Sequence, residues 1–245
     1  MVKYFLWTIG IFLLLSLSGC NKEGVCLKST GKTVKESRAA QAFHYLEVND
    51  NINVMLTQDS TQYAITVEAG ENLIAGIAAD INDGHLVLQN NNTCDWLRSY
   101  SVPVNVYLTF KELDTIIFQA AGNISCANTW TNDSIYVNVI EGAGNLHFTV
   151  HVGIGTFQIR YGTVSMVLDG KCGVTFISSQ GYGPFHAENL VSKFTYIYTF
   201  SPNDVYVYAE EELGVEIGNI GNVYYTGNPK TISKNIYGEG KLIQF

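Results

Sequence analysis

From Phe43 onward, apolar residues return at every second position. "YLEVNDNINVMLTQ" and "YAITVEA" alternate, and "HLVLQ" follows the turn Asn82-Asp83-Gly84. "VPVNVYLTF" places Val102, Val104, Val106 and Leu108 on one face. Val, Ile, Tyr, Phe and Thr fill these runs while Asn, Asp and Gly separate them, which is the pattern of short strands. Only "GENLIAGIAADI" has weak helical or loop character.

The second half repeats. "AGNIS", "AGNLH", "YGTVS", "YGPFH", "PNDVY" and "IGNVY" each put small turn residues before an alternating strand. Their second positions are Gly122, Gly144, Gly162, Gly183, Asn203 and Gly221. The mean spacing is about 20 residues, which in a strand-only chain signals a solenoid. Gly and Asn suit corners that need positive φ. An antiparallel sandwich also has evenly spaced strands, but it does not need one corner to recur at one period. The expected fold is all-β: a right-handed parallel β-solenoid, a single-stranded β-helix with rungs of about 20 residues, over residues 38–245.

The N-terminus differs. One cation, Lys3, precedes an apolar run over Tyr4–Leu17, followed by Ser18-Gly19-Cys20. A spanning helix needs about 20 apolar residues, and this run is shorter. A charged start, a short apolar centre and small residues describe a secretory signal. Leu17-Ser18-Gly19-Cys20 resembles a bacterial lipobox. It implies a signal peptide over 1–19 and a Cys20 carrying palmitate-type acyl chains, since several chains hold a protein firmly to a membrane. Polar residues 20–37 then read as a lipidated tether. The expected location is the bacterial outer membrane, periplasmic or surface-facing.

A formal net charge of −8, without a basic cluster, argues against nucleic acid as partner. Cys126 and Cys172 sit on apolar alternation and read as small core residues. Cys26 and Cys94 lie in polar surroundings and are expected to form a disulfide in an oxidising compartment. The alternative is two exposed thiols. No Cys/His spacing suggests zinc. His147 and His151 are four apart, which on a strand means roughly 13 Å, too far for one ion. No cofactor or metal is expected. The acidic residues Asp169, Asp204 and Glu216 are spread out, unlike the paired carboxylates of glycosidases.

Tyrosine, with 15 residues, is the enriched chemical type. In "DVYVYAE", Val205 and Val207 are expected to point inward and Tyr206 and Tyr208 outward. Tyr224 and Tyr225 follow about one rung later. Outward tyrosines either bind sugar rings by stacking or form a ladder that shields the wall. In "FTYIYTF" either parity fits an inward face. "TCDWLRSY" puts Trp96, Arg98 and Tyr100 on one parity, as a contact patch or as a plug for one end of the column.

The tail "GNIGNVYYTGNPKTISKNIYGEGKLI", the Gly-marked rungs and "NTCDWLRSY" resemble the head GIN-domain family of auto-transporter adhesins from Bacteroidetes-type bacteria. The resemblance runs from about Cys26 to Phe245 and implies an exported, often lipid-anchored β-solenoid without established catalysis. "SPND" and "GKCG" depart from the family's Gly-Ser-Gly corner. The expected function is adhesion: a non-enzymatic envelope lipoprotein that binds a glycan or surface protein through its flank. Self-association as a structural or envelope-stress protein is the alternative, and polysaccharide processing is a third.

Overall fold

A computed structural model describes residues 29–93 and 102–245. The chain forms a β-solenoid of about six turns with rungs of about 20 residues. Short strands make up the first half: β1 (Thr33–Arg38), β2 (Tyr45–Asp50), β3 (Asn53–Gln58), β4 (Ala64–Gly70), β5 (Ile77–Asn82), β6 (His85–Asn90), β7 (Asn105–Phe110), β8 (Thr115–Ala121) and β9 (Ile124–Cys126). Long strands follow: β10 (Trp130–Ala143), β11 (Asn145–Ile159), β12 (Ser165–Ser179) and β13 (Phe185–Thr199). The last are β14 (Val205–Tyr208), β15 (Glu212–Ile217), β16 (Val223–Thr226), β17 (Thr231–Ile236) and β18 (Leu242–Gln244). The stretch "GENLIAGIAADI" holds a single 3-10 turn, Ile74–Gly76, leading into β5.

Two ladders run the length of the molecule. The first stacks β6, β2, β8, the ends of β10 to β13, β15 and β17 in parallel. The second stacks β7, β3, β9, the starts of β11 to β13, β14, β16 and β18. The start of β10 pairs with the middle of β11, and the middles of β12 and β13 continue that third wall. Because partners are in register, one inward residue from each rung stacks on the next. Leu86, Leu46, Ile116, Val137, Phe157, Ile177, Ile197 and Val215 form one such column. Val106, Val54, Ile124, Leu146, Met166, Phe185, Val205 and Val223 form another. All of these are buried, so each rung continues one apolar core. Trp130 anchors it between Phe110 and Phe148, with its indole N–H donating to the Leu113 carbonyl at 3.0 Å.

The recurring corner has a physical cause. Gly122, Gly144, Val164, Gly183, Asn203, Gly221 and Gly240 lie in one column, each over the backbone of the rung before. At Gly144, φ is +127° and a Cβ would overlap the Gly122 carbonyl oxygen. Gly162 is the exception among the sequence marks: it sits over Gly142, and Val164 takes the corner of that rung. The residue after the corner ties rungs together. Asn53 Oδ1 accepts from the backbone and side-chain N–H of Asn123 at 2.9 and 3.1 Å. Asn123 Oδ1 does the same for Asn145, and Asp204 Oδ1 for Asn222. A side-chain oxygen thus satisfies an amide where the chain turns between ladders.

The two ends differ. At one end β5 pairs antiparallel with β6, and β1 and β4 extend the second ladder antiparallel from β7. Residues 33–37 of the polar stretch therefore belong to an edge strand, with Thr33–Arg38 mostly exposed on both faces. Rung order also departs from chain order here. β2 and β3 lie between β6–β7 on one side and β8–β9 on the other. At the other end, β17 and β18 have no partner beyond β15 and β16 among the described residues. Every residue of β17 is exposed, including Ile232 and Ile236, and the inward column of the first ladder ends on Lys234. A lysine there discourages further strand addition.

Candidate functional site

The segment "FTYIYTF" settles its parity against simple hydrophobicity. Thr195, Ile197 and Thr199 point inward and are buried, while Tyr196, Tyr198 and Phe200 point outward. Register fixes this choice, because Thr195 pairs with Thr175, Ile197 with Ile177 and Thr199 with Ser179. The buried hydroxyls are supplied with partners. Thr195 Oγ1 donates to the Tyr208 carbonyl at 2.7 Å, Thr175 Oγ1 to Ser192 Oγ at 2.9 Å and Ser201 Oγ to the Gly181 carbonyl at 2.7 Å. Paired hydroxyls are tolerated inside, so large aromatics are left on the wall.

Tyr196 and Tyr198, with Phe176, line an open groove of 470 Å³ on the first ladder. Phe176 and Tyr196 stack with centroids 5.4 Å apart and planes 19° from parallel. The Tyr196 hydroxyl donates to Glu212 Oε1 at 3.2 Å, which fixes the ring along the wall. Gln158, Ser178, Tyr198, Glu216 and Asn235 add polar and aromatic lining. Phe176 is 42% and Tyr198 37% exposed. At the corner beyond, Phe200 and Tyr237 close over Gly218, where a Cβ would lie 2.6 Å from Phe200 Cδ2 and 2.7 Å from Tyr237 Cε2. The Tyr237 ring is 55% exposed. Its phenol is nonetheless pushed up to about 12, first by desolvation of the hydroxyl, then by hydrogen bonding with Tyr198 and Glu216.

Two further depressions lie elsewhere on the surface. One of 630 Å³ on the third wall is lined by His151, Lys171, Lys193 and Glu210. Another of 780 Å³ includes Asp50, Asn90, Glu141 and Tyr161. Neither combines several exposed rings with polar groups as the first groove does. Among the described residues no cluster of three or more His, Cys, Asp or Glu has the geometry to hold a metal ion.

The tyrosines singled out from sequence fall elsewhere. Val205 and Val207 are inward, and Tyr206 and Tyr208 are half-buried on the outer wall of the second ladder. Tyr206 stacks on Tyr224 at 4.9 Å and on His186 at 4.9 Å, and Phe245 meets Tyr206 and Tyr224 edge-on. Their ring faces are therefore covered by one another. Burial raises the Tyr206 phenol, with smaller contributions from Asp204, Tyr224 and Glu188. Tyr225 is a correction: it points into the core, because Val223, Tyr224 and Tyr225 alternate and Val223 is inward. The groove residues Phe176, Tyr196, Tyr198 and Glu216 were missed as a set, since they come together only across rungs. Cys20, Cys26, Cys94, Trp96, Arg98 and Tyr100 lie outside the described residues. His147 Nε2 lies 2.5 Å from Asp169 Oδ2, whereas His151 faces the third-wall depression. Burial pushes the Cys126 thiol up to about 12 and raises that of Cys172, consistent with unreactive packing residues.

Residues 42–229 match the sequence family described as "putative auto-transporter adhesin, head GIN domain". No curated protein matches the chain. Several crystal structures share its fold. A protein from Bacteroides fragilis described as a putative adhesin is 19% identical, with a TM-score of 0.80 over 87% of this chain and 97% of that one. One from Parabacteroides merdae with the same description is 16% identical, with a TM-score of 0.65 over 89% and 98%. A protein from Parabacteroides distasonis described as a putative lipid binding protein is 15% identical, with a TM-score of 0.69 over 89% and 98%.

Proposed function

From the premise that the chain belongs to the head GIN-domain family of auto-transporter adhesins, we propose that it is a non-enzymatic envelope adhesin that holds a glycan in the Phe176–Tyr196–Tyr198 groove. One observation carries the reading: in residues 194–200 the threonines are buried while Tyr196, Tyr198 and Phe200 face outward. Exposed apolar surface of this kind marks contact sites, and rings flanked by hydroxyl, amide and carboxylate groups suit sugars. A rigid rod with several weak contacts gains affinity through high effective concentration. The stacked rings of Tyr206 and Tyr224 serve in this reading as a shield, with Tyr208 beside them. A hydrolase would need two carboxyl groups flanking one bond, and among the groove-lining residues Glu216 stands alone. The open groove, with amide, hydroxyl and carboxylate groups beside its rings, suits a sugar better than an acyl chain.

The same reading places the chain at the outer membrane, held by acyl chains on Cys20, with a Cys26–Cys94 disulfide bracing the tether. Labelling with a palmitate analogue, retained by the wild type and lost in Cys20→Ser, tests the anchor. Intact mass with and without reductant tests the disulfide. For the groove, a glycan array compares the wild type with a Tyr196→Thr/Tyr198→Ser double variant. Loss of signal in a folded variant supports the reading, and equal signal refutes it. The exposed β17 supports a second reading, end-on self-association, which would appear as mass rising with concentration in light scattering.

A further inference from the structure

Resting on that reading, we propose that the Glu216 corner of the groove is a subsite for a cationic group, so that the preferred glycan carries a free amine. Glu216 is half-buried on β15 and projects from the wall beside Tyr198. Across the next rung stands Tyr237, whose ring and hydroxyl lie against Gly218, two residues beyond Glu216. Phe200 completes the enclosure, because the missing side chain of Gly218 lets its ring and that of Tyr237 close together. Three aromatic rings and one carboxylate converge on one corner.

Among the described residues the charge at this corner has no ion-pair partner. The ion pairs among the described residues join Lys32, Lys35, Arg38, His85, His147 and His186 to their carboxylates, and Glu216 is in none of them. Lys234 is the one cation among the lining residues, and it too forms no ion pair there. Tyr237 holds its proton more firmly than an ordinary tyrosine and so brings no charge. An ammonium group would meet the carboxylate directly and ring faces on its flanks, the arrangement that favours cations over neutral groups. An acidic sugar would meet repulsion. An amine on a sugar ring also satisfies the neighbouring Phe176–Tyr196 wall, which an isolated cation would leave uncovered.

The test titrates the whole mature chain with two oligosaccharides of equal length, an N-acetylglucosamine hexamer and its fully deacetylated counterpart. Mildly acidic buffer keeps the amines charged. The deacetylated hexamer should bind at least tenfold tighter, and this preference should fall as salt rises. Glu216→Gln should bring the two affinities within twofold, chiefly by weakening the deacetylated hexamer. Tyr237→Ala should reduce the preference, and Tyr237→Phe should keep it, since the ring face remains. Equal affinities in the wild type, or a preference that survives Glu216→Gln, overturn the cationic subsite and leave the glycan groove standing. Absence of binding to either hexamer, with an empty glycan array, removes both. A lysine-bearing peptide that binds through Glu216 when the amino-oligosaccharide does not also overturns the proposal.

Discussion

Replacing Tyr198 by serine isolates the contribution of one exposed ring. Ser178 already occupies the paired position one rung earlier, so the wall accepts a short hydroxyl side chain there. A large aromatic residue offers about 200 Å² of surface, so 37% exposure of Tyr198 and 42% of Phe176 leave roughly 75 and 85 Å² available. At about 25 cal/mol per Å², covering both gains about 4 kcal/mol. That corresponds to a Kd of about 1 mM for a single site. Losing the Tyr198 share removes roughly 2 kcal/mol, or about 20-fold in affinity. NMR titration of the strongest array ligand reads this range, and urea unfolding of the same variant checks that the wall remains intact. A folded Tyr198→Ser protein binding within twofold of the wild type would show that the ring is not in the contact.

Four other changes probe the scaffold. Gly144→Ala forces a side chain into a left-handed position against the Gly122 carbonyl, and urea unfolding should register a loss of about 2–4 kcal/mol. Thr195→Val leaves the Tyr208 carbonyl without its hydroxyl donor, and thermal or urea unfolding should report about 1–3 kcal/mol lost. Lys234→Ile extends the apolar column to the open end, and light scattering should show stronger concentration-dependent association than in the wild type. Glu68 titrates below its ordinary value, chiefly through its hydrogen bond with Lys35, then with Asn105. Its stabilisation is therefore complete above the ordinary glutamate range and fades as pH falls through the lowered value. In Lys35→Ala the acid limb of stability against pH should be shallower, by a small amount because the pair is near the surface.

Much of the solenoid is legible in local pattern, because a strand shows its faces by alternation and a corner shows itself by Gly-Asn. Val205 and Val207 point inward as alternation requires, and the Asn that follows the corner is explained by bonds to the next rung. The aromatic groove is not legible in the same way. In residues 194–200 both parities are self-consistent, and the choice comes from Thr175, Ile177 and Ser179 on the neighbouring rung together with hydroxyl partners far along the chain. Tyr225 follows its own alternation once Val223 is inward, but the adjacent Tyr224 hides the parity. Gly162 shows that a corner motif fixes position only to within two residues, because a rung can lengthen before it turns. At the antiparallel end the β5–β6 hairpin is marked locally by the turn Asn82-Asp83-Gly84, whereas the pairing of β1 with β4, from Arg38 with Ile65 to Thr33 with Gly70, has no local mark.

The placement of β2 and β3 between later strands bears on how the protein is made. Asn53 and Asn123, bonded across neighbouring rungs, are 70 positions apart. A chain emerging N-terminus first during synthesis cannot complete its opening rung until residues 115–126 have followed. Long-range closure of this kind slows folding. The early segment must wait unpaired, exposed to proteases and holdase chaperones, whereas each turn from β11 onward can template on the one already laid down.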